Sequence, residues 1–311
     1  MARARLLGIL VLTVLTQASA SYGEAETYSL FTTRTLKSSV VNRDITNPLT
    51  DSWLLAFQND TFLFNGSLPH ADEQWGNVFQ FAPSIAFPIP HLEYHIINQL
   101  SIPVWSLPKF DTTSFKFSQQ DGLGDVVMAN YFARTLKKRR GWTFGLGPTW
   151  IFPSATAEVT GQHKYQVGPA TLVGFLEKEQ PFWAYVSVQQ WWSIGGPGEK
   201  NTNQAAFQYF YQINLNYLPN VTLPGGLWAI GAAPVVTANW KGKNGNTWSV
   251  PVGTGIVYTP IIGTVILPRL AFEFDYYAER REILNPEWNF RVSATILVAP
   301  DWQKVVDALF G

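Results

Sequence analysis

Phe207-Gln208-Tyr209-Phe210-Tyr211-Gln212-Ile213-Asn214-Leu215-Asn216-Tyr217 decides the reading of this chain. Phe207, Tyr209, Tyr211, Ile213, Leu215 and Tyr217 fall on one parity, and Gln208, Gln212, Asn214 and Asn216 on the other. Phe210 is the exception. Successive side chains of a strand point to opposite faces, so this segment is a strand with one apolar and one hydrated face. An apolar outside around a wet interior is the pattern of a lipid-facing strand in a barrel wall.

The same alternation recurs outward from it. Phe272, Phe274 and Tyr276 interleave with Glu273 and Asp275, and Trp288, Phe290, Val292, Ala294, Ile296 and Val298 with Asn289, Arg291, Ser293 and Thr295. Trp142, Phe144, Leu146, Trp150 and Phe152 repeat it, as do Trp228, Ile230, Ala232, Val236 and Trp240. Twelve strands are expected, at 53–65, 75–87, 92–106, 122–135, 141–153, 164–177, 182–194, 204–218, 226–240, 246–259, 264–278 and 286–299. Connections at 66–74, 107–121, 154–163, 195–203, 241–245 and 279–285 are mostly longer than those between them, as external loops are beside periplasmic turns. Trp228 and Trp240, and Trp248 and Tyr258, bracket two of the strands. Ten to twelve residues tilted near 40° span about 25–30 Å, an apolar band with an aromatic girdle at each edge.

Composition narrows the class. Only 14% of residues are charged, the formal net charge is +0, aromatics reach 15%, and there is no cysteine. A neutral chain has no electrostatic attraction for nucleic acid. Disulfides are excluded and a thiolate zinc site with them, so burial and sheet closure must hold the fold. No uncharged apolar helix follows residue 20, and a span built from such sequence has to be a closed barrel, where every backbone group is paired. The expected fold is all-β: a closed antiparallel transmembrane β-barrel of about twelve strands, with ten to fourteen admitted. A soluble β-sandwich with the aromatics in its core is the competing architecture.

Arg3 and Arg5, the apolar run Leu6–Leu15 and Ala18-Ser19-Ala20 read as a cleaved secretory signal peptide over residues 1–20. Residues 21–50 are a polar segment for the periplasm or the lumen, 51–299 the barrel, and 300–311 a tail whose Trp302, Val305, Val306, Leu309 and Phe310 recur at helical spacing. The bacterial outer membrane is the expected location.

Chemistry is sought on the inward faces. Arg269, Glu273 and Asp275 of one strand and Arg291 of the next are expected to face the lumen as a charge ladder, serving as a constriction or as paired filling. Gln189, Gln208, Gln212, Asn214 and Asn216 would line an uncharged polar wall. Lumen glycines Gly145, Gly147, Gly168, Gly174, Gly231, Gly253 and Gly255 leave room or let strands approach and bend. Asp125, beside Gly122 and Gly124 at a strand mouth, would bind a cation or fix a turn. No catalytic group, cofactor or metal site is expected. His91 and His95, if on one strand face, stand roughly 13 Å apart, too far to share a metal. Lys137-Lys138-Arg139-Arg140 is a basic turn suited to lipid phosphates.

Several runs together resemble the outer-membrane family named for the meta-pathway of phenol degradation, often mislabelled neuromedin U. They are Asn47-Pro48-Leu49-Thr50, Phe57-Gln58-Asn59-Asp60, Gly122-Leu123-Gly124-Asp125-Val126, Gly141 to Pro148, Phe152-Pro153-Ser154-Ala155-Thr156, Gly168-Pro169-Ala170, Trp191-Trp192-Ser193 and Trp248 to Gly253. The resemblance covers roughly residues 45 to 299. It implies a transporter-like outer-membrane barrel, placed near channels for hydrophobic compounds, and brings no catalytic residues. Family barrels usually end on an aromatic residue of the last strand; here thirteen residues follow Val298.

The expected function is a channel for small, hydrophobic or aromatic molecules. A plugged structural or binding barrel and an outer-membrane lipid hydrolase are the alternatives. Expected partners are outer-membrane lipids, the barrel-insertion machinery and a small solute.

Overall fold

A computed structural model describes residues 38–89, 92–134, 141–242, 246–262, 265–266 and 268–298, all within one compact unit. The expected signal peptide, His91, the basic turn 137–140 and the tail 300–311 lie outside the described residues.

Twelve antiparallel strands form the wall: β1 Trp53–Asn65, β2 Trp75–Pro88, β3 Tyr94–Asp111, β4 as Lys116–Leu123 and Val126–Arg134, β5 Trp142–Phe152 and β6 Tyr165–Phe175. They continue as β7 Phe182–Gly195, β8 Asn203–Asn214, β9 as Gly226–Ala232 and Val235–Asn239, β10 Trp248–Ile262, β11 Arg269–Glu279 and β12 Asn285–Val298. Each strand pairs with its sequence neighbours. The sheet closes where β1 meets β12, from Trp53 opposite Val298 to Asn65 opposite Asn285. Closure leaves no free edge, so the wall satisfies its backbone internally.

Side chains sort by parity as the sequence demands. Phe79, Ile96, Phe144, Val186, Ile256, Phe272, Phe290 and Val292 stand exposed on the outside. Asp60, Tyr131, Thr149, Gln212, Glu273, Asp275 and Asn289 are buried within. Soluble monomers seldom expose apolar patches beyond a few hundred Å², and this face runs around the whole wall.

Three expectations need correction. The stretch 107–121 is not a loop: β3 and β4 continue as a ribbon, Val104 opposite Leu123 through Asp111 opposite Lys116, with its turn at 112–115. The strand expected over 204–218 stops at Asn214, and Leu215–Tyr217 coil into one 3-10 turn. The link 215–225 is therefore long, and the expected contrast in connection length between the two ends largely disappears. Finally, β9 is broken at Ala233-Pro234. A proline cannot donate to a ladder. Ala232, expected outside, is buried and lines the lumen.

The break has a second effect. β9 pairs with β10 at residues 226–230 and again at 237–238, but not between. There the Tyr209 and Tyr211 hydroxyls of β8 donate to the carbonyls of Pro251 (2.9 Å) and Gly253 (3.0 Å) on β10, two strands away.

Residues 38–50 occupy the lumen at the end where β1 starts and β12 finishes. Helix α1, Ser38–Thr46, buries Val41 and Ile45. After it, the Asn47 carboxamide accepts from the Leu49 N–H (3.1 Å), and Gln99 of β3 donates to the Pro48 carbonyl (2.7 Å). Ser39 Oγ donates to Glu179 Oε1 on the β6–β7 turn (3.2 Å). Leu49 packs among Ala86, Ile97, Ala129, Tyr131, Ala133, Ala170 and Leu172. The wall is small where the plug is large: a Cβ on Gly145 would lie 2.8 Å from Leu49 Cδ1.

Candidate lumen site

Period two in β11 places Arg269, Ala271, Glu273 and Asp275 inward, and in β12 Asn289 and Arg291. Register sets Glu273 directly across from Arg291 and Asp275 across from Asn289. Closure then adds Asp60 from β1, directly across from Arg291 on its other side. Arg291 Nε donates to Asp60 Oδ1 at 2.7 Å and Nη1 to Glu273 Oε2 at 3.4 Å. Asn289 Nδ2 donates to Asp60 Oδ1 (2.8 Å) and Asp275 Oδ2 (3.1 Å), bridging two carboxylates. The break in β9 completes the network with main chain: Ala233 N–H donates to Glu273 Oε2 (2.9 Å), and Arg291 Nη1 and Gln208 Nε2 donate to the Ala233 carbonyl. Asp60 is only 2% exposed, so this ion pair works in a poorly hydrated setting where a lost partner is costly. A Cβ on Gly253 would overlap Asp275 Oδ1, so glycine there makes the carboxylate's place.

Above α1 the lumen holds a cavity of about 320 Å³. Arg269, Glu273, Arg291, Gln189 and Gln208 line it, with Ile45, Ala56, Gln58, Gln99, Tyr185, Phe210 and Val257. Phe210, the odd apolar residue on the inward parity of β8, stacks on Tyr185 with ring centroids 4.5 Å apart. Five of the nine expected lumen residues therefore converge on one space.

The other four take different posts. Gln212 stands behind the cavity, accepting from Arg269 Nη2 (3.0 Å) and donating to Asn214 Oδ1 (2.7 Å). Asn214 donates to the Gln180 carbonyl (3.1 Å) and so serves the β6–β7 turn. Asp275 lies deeper, held by Asn289. Asn216 is not a wall residue: from the 3-10 turn its carboxamide accepts from Trp228 N–H (2.6 Å) and donates to the Gly226 carbonyl (3.3 Å), closing the β8–β9 link.

Asp125 staples a loop. Its carboxylate accepts backbone N–H groups of Ala155 (3.1 Å), Gln162 (2.6 Å) and His163 (3.1 Å). Ser154 Oγ donates to the Gly124 carbonyl (2.8 Å), and Thr156 Oγ1 accepts from Leu123 N–H (2.9 Å). The runs 122–126 and 152–156, separate in sequence, thus form one joint. Beside it Lys109 meets Glu158 at 2.6 Å, and that hydrogen bond and charge hold the Glu158 carboxyl below its usual range. Asp125→Ala strands three donors, each worth about 1–3 kcal/mol if left unmet, although water reaches part of this loop. We expect selective proteolytic nicking between residues 154 and 163 in the variant, with the barrel intact on a gel; a loop as resistant as wild type would refute the staple.

No family model matches the chain, and no curated protein matches it. An outer membrane channel from Pseudomonas putida F1 has the same architecture, with a TM-score of 0.54 over 80% of this chain and 96% of that one, at 11% identity. The fold is that of an outer-membrane β-barrel. The NanC porin (TM-score 0.43, 11% identity, 78% of this chain and 98% of that one) and the CymD monoaromatic hydrocarbon channel (0.42, 8%, 89% and 94%) are more distant.

The sequence reading missed Asp60, Asn289 and Tyr185 as parts of this site. Asp60 and Arg291 are 231 positions apart, and only the closing seam joins them. The inward parity of Asp60 was the available signal.

Proposed function

We propose that this chain is an outer-membrane channel passing small molecules, hydrophobic or aromatic ones among them, through a lumen gated by its own N-terminal segment. One observation carries the reading: an apolar outer wall encloses a cavity whose lining mixes amides, a few charges and the stacked pair Tyr185–Phe210. A purely structural barrel gains nothing from keeping such a space. The outside of the wall is matched to lipid, and insertion by the barrel-assembly machinery follows from that location. The motif resemblance supports a place near the phenol meta-pathway family, since two of its runs build the Asp125 joint and a third supplies Asp60.

The seating of α1 and Leu49 favours a second reading, a barrel permanently stoppered by residues 38–50 and used for binding. Cell fractionation and reconstitution separate these. We expect the protein in the outer-membrane fraction, migrating faster unboiled than boiled, and producing stepwise conductance in planar bilayers or flux from vesicles. A soluble protein without a heat shift would refute the membrane reading. A barrel silent even without its plug would refute the channel.

A further inference from the structure

We propose that the lumen cavity is a binding site for small carboxylates with an apolar body, arylalkanoates in type, and that Arg269 holds the carboxylate. This deepens the channel reading and rests on it for its physiological meaning.

The charged groups lining the cavity are Arg269, Glu273 and Arg291. Two of these are spent on each other. Arg291 is engaged by Asp60, Glu273 and the Ala233 carbonyl, and Glu273 takes Arg291 and the Ala233 N–H. Arg269 differs. Its one hydrogen bond among the described residues goes to Gln212 Oε1, a neutral acceptor, and its Nε is buried with no partner. No carboxylate of the described residues lies within salt-bridge distance of it, whereas Arg291 has two. A guanidinium has five N–H donors in a planar fork that fits a carboxylate in two-point fashion. Half-buried at the cavity wall, with Nε buried and unpaired and one Nη on a neutral acceptor, the guanidinium keeps N–H donors free for an anionic group.

The surroundings define the rest of the ligand. Gln212 and Phe210 are successive inward residues of β8, about 7 Å apart along the strand, so the residue that holds the guanidinium is one step from the residue that stacks on Tyr185. Val257 and the Ile45 side chain of α1 extend the apolar side. Arg291 is already answered by Asp60 and Glu273, which leaves Arg269 as the lining cation with no carboxylate of its own among the described residues. At about 320 Å³ the cavity is at the small end of ligand sites, the size of a ring with a short acid chain.

The test uses the full chain reconstituted in phosphatidylcholine vesicles, with 3-phenylpropanoate as probe and 3-phenylpropanol and 3-phenylpropylammonium as its neutral and cationic counterparts. Equilibrium dialysis, with protein-free vesicles subtracted, reads binding. We expect saturable binding of the acid, about tenfold or more tighter than of either counterpart, as a hydrogen-bonded charged contact provides. Arg269→Gln should erase that preference and Arg269→Lys keep part of it, with both variants still shifting on boiling. A site that merely fills space would treat the Lys and Gln variants alike. Absence of saturable acid binding, equal binding of acid and alcohol, or an unchanged Arg269→Gln variant each overturns the proposal. Conductance of the same vesicles keeps the two readings apart: a conducting barrel without acid preference refutes this site alone, and acid binding without any passage refutes the channel alone.

Discussion

Removal of residues 21–50, with the signal joined directly to Asp51, is expected to raise single-channel conductance about threefold or more. Twelve strands at ~4.8 Å spacing and ~40° tilt enclose a backbone cylinder ~24 Å across, and inward side chains leave roughly 14 Å of bore. A helix with its side chains takes about 10 Å of that. The contacts holding the segment include the Gln99–Pro48 and Ser39–Glu179 hydrogen bonds, the burial of Val41 and Ile45 and the packing of Leu49. The wall closes without them through thirteen residue pairs between β1 and β12, so the shortened chain should still fold. A complementary variant sets cysteines at Ser39 and Glu179 in this cysteine-free protein and joins them with a short bis-maleimide. Conductance should then stay low under conditions that open the unlinked protein. Equal conductance of the shortened and complete chains would show that α1 is not the barrier.

The second large effect belongs to Arg291. Replacing it with Leu leaves Asp60, Glu273 and Asp275 facing one another with no cation between them, and breaking a buried pair in this way costs about 3–5 kcal/mol. Urea unfolding in vesicles, followed by tryptophan fluorescence, should show a loss of unfolding free energy of that size, read as a lower midpoint at unchanged slope. Converting Asp60 to Asn and Glu273 to Gln in the same background should recover more than half of the loss, because the stranded charges are then gone. A single variant as stable as wild type would mean that water fills the network and screens it. Asp60→Ala alone should fall between, since Glu273 still answers Arg291.

Much of the wall could be read from sequence because each strand reports its own faces. All twelve expected runs contain strand, and the ends of β1, β2, β5 and β7 fall within a residue or so of expectation. The failures occur where local pattern and chain path part company. Leu215 and Tyr217 keep the alternation of β8 going on paper, yet the chain turns, and Asn216 closes that turn with its carboxamide. Ala232 and Val236 keep parity across β9, yet Pro234 breaks the ladder between them. The candidate site was legible as far as β11 and β12 carry it, since Arg269, Glu273 and Arg291 are adjacent in one hairpin. Its remaining half comes from strands that no local period can bring together: Asp60 across the seam, and Tyr185 through its stack on Phe210. Asp125 was read as a turn residue or a cation ligand; in the fold its carboxylate takes three backbone N–H groups of the loop that follows β5.

The seam also orders events in time. Six residues separate α1 from Trp53, the first residue of the strand that β12 must find last. Until residues 285–298 have been made and have paired, no enclosed space exists for Leu49 or Ile45 to enter. Sheet closure over so long a stretch of chain is a slow step, and the helix is the earliest-made described element waiting on the latest. Seating of the plug is thereby a record of finished assembly: a barrel stalled before its last zippering keeps α1 outside, open to proteases, while a completed one hides it.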